Sequence, residues 1–330
     1  MNYNLPIFIN RTEIINKINH FSGCGESFLF AIDFDGEKGF VLSPEEAVNK
    51  GIQYDFGNMK NTTETVPNMP VRFDFSAVSF ETYKKVFEKV VFHLKRGDTY
   101  LLNLTFPTAL DTDLSLDGIF AVSCAPYKLY VPGHFAVFSP ELFVRIQDSK
   151  IYSCPMKGTI DAMVPNAENH LLADEKELFE HNTIVDLIRN DLSKVSTDVT
   201  VIRFRYIDRI HTNRGDLLQM SSEICGNLPD GYEPSLGTIL FELLPAGSVT
   251  GAPKEKTVKI IRETEIYDRG FYTGIFGGFD GISFSSAVSI RFIENSERGL
   301  VFKSGGGITA LSIMESEYQE MLKKIYVPFV

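Results

Sequence analysis

The chain has no uninterrupted apolar stretch of about 18 residues, so nothing in it reads as a membrane-spanning helix. No signal peptide is expected either. Met1 to Phe21 interrupts its apolar residues with Arg11, Glu13 and Lys17 and offers no small-residue cleavage site. The four cysteines, Cys24, Cys124, Cys154 and Cys225, are widely spaced with no CxxC pair. That excludes a zinc framework and suits a reducing cytoplasm. Basic residues number 32 against 43 acidic ones, for a net charge of −11, and no Lys/Arg-rich run stands out. A nucleic-acid partner is therefore not expected, and an anionic substrate would need local cations or a metal to overcome the global field. Neither an internal repeat nor a low-complexity linker is present. None of the six histidines joins a Ser or Cys in a triad motif, and Cys24, in Gly23-Cys24-Gly25, lacks the G-x-C-x-G pattern of a glutaminase nucleophile.

What is present is ample core: 330 residues, 44% of them hydrophobic. Residues 1–330 read as one compact unit. Lys50 to Pro70 is polar and glycine-bearing and reads as a long surface loop. Helices are expected over Glu81–Arg96, Ala167–Leu192, Lys254–Glu265 and Ile313–Tyr326. The first carries Val86, Phe87, Val90, Val91 and Leu94 on one stripe and stops at Gly97. Strand-like runs cover Phe28–Phe34, Thr99–Phe106, Phe135–Gln147, Lys150–Ser153, Val199–Arg205, Ala287–Ile293 and Leu300–Phe302. Several strands follow one another without an intervening helix, which favours antiparallel sheets with helices packed outside, an α+β fold.

Five short constellations could carry chemistry, and each has a plain structural alternative. Glu177, Glu180 and His181 fall at i, i+3 and i+4, one helix face, where carboxylates suit Mg²⁺ or simply meet solvent. Glu317 and Glu320 repeat the i, i+3 spacing after Gly305-Gly306-Gly307 and a possible Ser312-to-Glu315 capping box. The glycine run can offer bare N–H groups to an anion, or be a loop feeding a surface helix. Gly247-Ser248-Val-Thr250-Gly251-Ala-Pro253-Lys254 fails the phosphate-loop spacing and reads as a turn exposing hydroxyls before a helix. In Pro155-Met156-Lys157-Gly158-Thr159 a lysine sits on constrained backbone, a nucleophile if desolvated and otherwise a turn lysine. Ser139-Pro140-Glu141 holds either a catalytic carboxyl or a strand-start turn.

Taken in chain order these motifs resemble the chorismate-utilising enzymes. Ser139-Pro140-Glu141, Pro155 to Thr159, Ile184 to Leu192 with Arg189 and Asp191, Gly247 to Lys254, Ile290-Arg291 and Gly305 to Glu320 all match, over about Glu81 to Lys324. The family includes anthranilate synthase, isochorismate and salicylate synthases and aminodeoxychorismate synthase component I. The resemblance implies a four-layer α/β/β/α sandwich of two largely antiparallel sheets. It implies that Glu180 and Glu320 bind Mg²⁺, which holds the ring carboxylate of chorismate, with Glu177 and Glu317 as carboxylates beside them. Arg291, Tyr272 and the backbone of Gly305, Gly306 and Gly307 match positions that hold the substrate's carboxylates. Ser248 matches a ring-carboxylate contact, Lys324 a lysine near the same site, and Glu141 the acid that protonates the departing 4-hydroxyl.

Lys157 is the diagnostic position, because the resemblance places lysine there in aminodeoxychorismate synthases and usually alanine in the other branches. The implied reaction is amination of chorismate at C4 to 4-amino-4-deoxychorismate through a covalent lysine intermediate, towards 4-aminobenzoate and folate. Its amine is expected to have a depressed pKa. Ammonia is expected from a separate glutamine amidotransferase subunit. Anthranilate synthesis and a non-catalytic chorismate-binding role are the alternatives. Three departures stand out. Leu101 follows Tyr100 where the family commonly has Gln, or Lys in the water-using branch, which disfavours isochorismate and salicylate synthesis. Gln219 replaces a family histidine and cannot titrate. The N-terminal region, about 1–75, is shorter than usual, so a complete tryptophan pocket is not expected there.

Overall fold

The computed structural model describes residues 7–57, 59–62, 72–212 and 215–328. Among these, one sheet has ten strands and the other eight, and every paired strand runs antiparallel to its neighbour. The first sheet runs from Ile9–Asn10 through Lys38–Leu42, Phe28–Ile32, Ile275–Phe279, Phe284–Val288, Leu142–Gln147, Lys150–Ser153 and Gly215–Asn227 to Met156–Asp161, with Thr197–Thr212 also on Gly215–Asn227. The second centres on Leu101–Thr112, Gly299–Ile308, Phe292–Ser296, Phe135–Ser139 and Tyr127–Val131.

Alternation along single strands builds the layers. Phe28, Phe30 and Ile32 point to a core shared with the helices Arg11–Gly23, Glu175–Leu192 and Leu236–Leu243, while Leu29 and Ala31 point the other way, towards the second sheet. Phe135 and Val137 meet them there, and their neighbours Ala136 and Phe138 pack outward on the helix Leu116–Ala121. The helices Phe80–Lys95, Lys254–Thr264 and Met314–Lys323 cover the rest of that outer face through Val86, Phe87, Val90, Ile260, Ile261 and Met321. The result is helix, sheet, sheet, helix.

The helix expected over Glu81–Arg96 runs Phe80–Lys95, started by Ser79, whose side chain accepts from the Thr82 N–H. Lys254–Thr264 and Met314–Lys323 fall within their predicted spans. The single helix predicted over Ala167–Leu192 is two, Ala167–Ala173 and Glu175–Leu192. Asp174 has extended backbone between them and caps the second by accepting from the Glu177 N–H. The Ser312-to-Glu315 capping box does not form: Ile313 occupies the N-cap, and Ser312 Oγ accepts instead from the Thr309 N–H.

Two predicted strands divide in a way that matters for the site. Phe135–Gln147 is Phe135–Ser139 in the second sheet and Leu142–Gln147 in the first, the chain crossing between them at Pro140 and Glu141. Ala287–Ile293 divides likewise, with Ser289, Ile290 and Arg291 in the crossing. The glycines 305–307 are strand rather than loop, paired with Thr105, Leu104 and Asn103. Within the loop predicted over Lys50–Pro70, Gln53–Asp55 is a strand on Tyr127–Val131; Asn58 and residues 63–70 lie outside the described residues.

Candidate active site

The site forms where the two sheets exchange strands. Met156–Asp161 pairs with Gly215–Asn227, and its register shifts between Lys157 and Thr159, a bulge at Gly158 with φ +70°. A Cβ at Gly158 would lie 2.7 Å from Leu171 Cδ1 and 3.2 Å from Glu177 Oε2, so a larger residue would have to displace both side-chain ends and adopt a backbone that favours glycine. Lys157 is thus a bulged strand lysine, not a turn lysine, and its Nζ donates to Glu180 Oε2 at 3.2 Å.

The glycine strand closes the site from the other sheet. A Cβ on Gly307 would stand 3.3 Å from Lys157 Nζ, 3.7 Å from Glu180 Oε2 and 3.2 Å from Leu101 Cδ1. On Gly306 it would meet Lys324 Nζ at 3.5 Å and Glu320 Oε1 at 3.7 Å, a pair that is itself 2.7 Å apart. Charged groups therefore lie against bare backbone at both glycines, and the carboxylates of Glu180 and Glu320 both act on the Lys157 amine.

Glu141 enters through the first crossing. Ser139 Oγ accepts from the Glu141 N–H at 3.1 Å, the Glu141 carbonyl accepts from the Val288 N–H, and Ser248 Oγ donates to Glu141 Oε1. Burial pushes the Glu141 carboxyl above its ordinary 4.5, opposed by the Ser248 hydrogen bond and by the charges of Lys157, Lys324 and Arg291. Arg291, at φ +52°, lies in the second crossing. Its guanidinium stacks 4.5 Å over the Tyr326 ring and donates to the Tyr326 hydroxyl at 3.3 Å, while its buried Nε has no partner among the described residues. Buried Tyr272 packs on Phe292, and burial holds its hydroxyl well above the ordinary tyrosine range, against the fields of Arg269 and Arg291. Gln219 pairs in register with Thr159, two residues from Lys157.

Two expectations are corrected. Desolvation does lower the Lys157 pKa, but the carboxylates of Glu180, Glu177 and Glu320 outweigh it, and the net direction is up, towards a charged ammonium. Glu180 does not lie on an exposed polar face; it is 5% exposed, whereas Glu320 is exposed. Glu317 is buried near Tyr83, whose hydroxyl feels its charge, and Glu177 borders Gly158. Among the described residues no three His, Cys, Asp or Glu side chains converge to hold a metal ion by themselves. Mg²⁺, however, takes one or two carboxylates and keeps water for the rest, and the carboxylates of Glu180 and Glu320, on adjacent glycines of one strand, fit that donor chemistry.

Sequence reasoning missed the supports. Arg269, 3% exposed, bridges Glu265 at 2.7 Å and donates to the carbonyls of Val249 and Asn103, tying the Ser248 turn to the strand beside the glycines. Asp191 pairs with Lys254 at 2.6 Å and Lys194 at 2.9 Å. His181 Nε2 lies 2.7 Å from Ser222 Oγ, and burial, with Arg205 and Lys157, lowers its pKa to about 4. Asp191, Lys254 and His181 lie inside the sequence motifs, whereas Arg269 lies in none; Glu265 is only four residues before it, but the Val249 and Asn103 carbonyls lie too far off in sequence for spacing to reveal them.

Comparison with known proteins follows the same outline. A family model described as "chorismate binding enzyme" matches residues 31–329. A Haemophilus influenzae protein named an uncharacterized PabA-like protein is 48% identical over 314 residues, 95% of this chain and 96% of that one. Aminodeoxychorismate synthase component 1 of Bacillus subtilis is 31% identical over 74% of this chain, which spans 54% of that protein. The structure of anthranilate synthase component I from Streptococcus pneumoniae superposes with a TM-score of 0.70 at 20% identity, covering 91% of this chain and 79% of that one, a likeness of fold.

Proposed function

Because the chain belongs to the chorismate binding enzymes, we propose that it aminates chorismate at C4, giving 4-amino-4-deoxychorismate with ammonia from a separate glutamine amidotransferase subunit. One observation carries the reading: the Lys157 amine lies against the Gly307 backbone, and its charge reaches the half-buried Glu141, whose carboxyl is held towards its protonated form. An amine nucleophile and a proton donor thus act within one electrostatic site.

In the first step the Lys157 amine forms a bond to C2 of the ring, the two conjugated double bonds that link C2 to C4 through C1, C6 and C5 each shift by one position, and the C4–O bond breaks. Glu141 gives its proton to the departing hydroxyl, which leaves as water. Ammonia then bonds to C4, both double bonds shift back, and the C2–N bond breaks to return the lysine. The net change is chorismate plus ammonia to aminated product plus water. Ser248 orients the Glu141 carboxyl, and Arg291, with an unpartnered Nε, supplies a cationic donor for a substrate carboxylate. A Mg²⁺ ion held by Glu180 and Glu320 would supply charge for the ring carboxylate and take up the negative charge that now keeps Lys157 protonated. Leu101 puts an apolar side chain against Gly307 where a base for water would be needed, which supports amination over hydration.

The test is incubation with chorismate, Mg²⁺ and ammonium, with products separated by mass and fluorescence. Aminodeoxychorismate is expected from the wild type; anthranilate would favour the other amination branch, and no turnover a binding role. In Lys157→Ala the rate should fall about 10³-fold or more. Quenching the wild type without ammonia should leave added mass on the peptide containing Lys157. An unmodified peptide together with unchanged turnover in Lys157→Ala would remove the covalent route.

A further inference from the structure

A small space borders the site at Glu141 and Ser248. It is a cavity of about 20 Å³, room for a single water-sized molecule. Its walls are largely apolar, with Val144, Ile188, Leu192 and Val288 among them, and it opens onto Glu141 and Ser248. Asp191 also contributes to the lining, but its charge is already met by Lys254 at 2.6 Å and Lys194 at 2.9 Å. With Asp191 paired and burial holding the Glu141 carboxyl towards its neutral form, a largely apolar space of this size suits a small neutral molecule better than a cation.

We propose that this cavity is the binding site for neutral ammonia, delivering it to C4 from the Glu141 side. The inference rests on the amination reading above. Glu141 acts at the C4 hydroxyl in that reading, so a cavity ending at its carboxyl ends at the carbon that ammonia must reach. Ammonia enters while Glu141 still holds its proton; once that proton has gone to the leaving hydroxyl, Glu141 is a carboxylate beside the ammonia already in place. It takes a proton from the nitrogen as the C4–N bond forms, which restores the acid for the next turnover. Excluding ammonium is useful chemistry, because the protonated form has no lone pair with which to attack.

The test uses the full chain with Mg²⁺, chorismate and ammonium chloride. Val144→Ile and Val288→Ile each place one more methyl group in the cavity and should raise the ammonium KM by about tenfold or more while the chorismate KM stays close to wild type. Ile188→Val, which enlarges the space, should let methylamine serve as nucleophile, read as an N-methylated product by mass. A wild type that already uses methylamine as well as ammonia, or folded filling variants with unchanged ammonium KM, would reduce the cavity to a place for structural water and overturn the proposal. A wild type that makes no aminated product from ammonium would instead defeat the reading on which it rests, so the two failures are distinguishable.

Discussion

The core between the two sheets and the end of the sandwich that holds the site are built from the same strands and obey opposite rules. Between the sheets, Leu29, Phe40, Tyr54, Phe56, Leu129, Val137 and Phe276 pack apolar surface on apolar surface, with buried Lys303 at the margin, 5.5 Å from the Phe292 ring centre and paired with Glu294. At the site end, Lys157, Glu180, Arg269, Glu265 and Glu141 come together, each beside an opposite charge or a hydrogen-bond donor. Apolar burial stabilises in proportion to area, whereas buried ion pairs roughly offset their own desolvation. The site end therefore has to be held in shape by the rest of the sandwich, and its charges are better explained by chemistry than by stability. Tyr272 marks the border, its ring on Phe292 and its hydroxyl in the field of Arg291.

The comparison can be broken first on the apolar side. Phe276 is 1% exposed, with Phe56 5.8 Å away between ring centres. Phe276→Ala should cost about 3–5 kcal/mol of stability, measured by denaturant unfolding, with kcat per folded molecule nearly unchanged at low temperature. A large loss of kcat in the folded fraction would mean that the two regions are not separable.

Glu141→Gln should do the reverse, cutting turnover by about 10²–10⁴-fold with little loss of stability. Its pH dependence has a definite sign. The folded carboxyl titrates above 4.5 because of burial. The wild type therefore binds the proton more tightly folded than unfolded and loses stability as pH rises from 4.5 through the raised value. Gln has no such loss, so the melting temperature of the variant should gain on the wild type across that interval. The alkaline limb of kcat/KM attributable to Glu141 should also vanish. Parallel melting curves across the interval would place the carboxyl in solvent.

The smallest effect concerns Arg291. Arg291→Ala should raise the chorismate KM by about tenfold, and Arg291→Lys by less, since both lose the fork but only the first loses the charge. Equal KM values for the wild type and Arg291→Ala would mean that the guanidinium serves Tyr326 rather than substrate.

The residues brought together at Lys157 were nearly all legible as motifs, because each needs its own local chemistry: a proline and glycine around a lysine, a serine before a carboxyl, carboxylates one helical turn apart. What motifs do not convey is direction. Lys157 was expected to be acidified by desolvation, and the three neighbouring carboxylates reverse that. Glu180 and Glu320 share a spacing on their helices, yet one is buried and the other exposed, because burial depends on what packs against the helix.

The sequence by itself determined the alternation that makes two-sided strands, the starts of the four helices read from it, and the identities of the groups that can carry chemistry; these follow from periodicity, capping and functional-group type. Only the tertiary structure decided that the chain crosses between sheets at Glu141 and again at Arg291, and that Gly305 to Gly307 form a strand facing Lys157 and Lys324. An apolar run is compatible with either sheet, and which sheet it joins is set by pairing with strands far away in the chain. Glu141, for example, is brought against Ser248, 107 residues later.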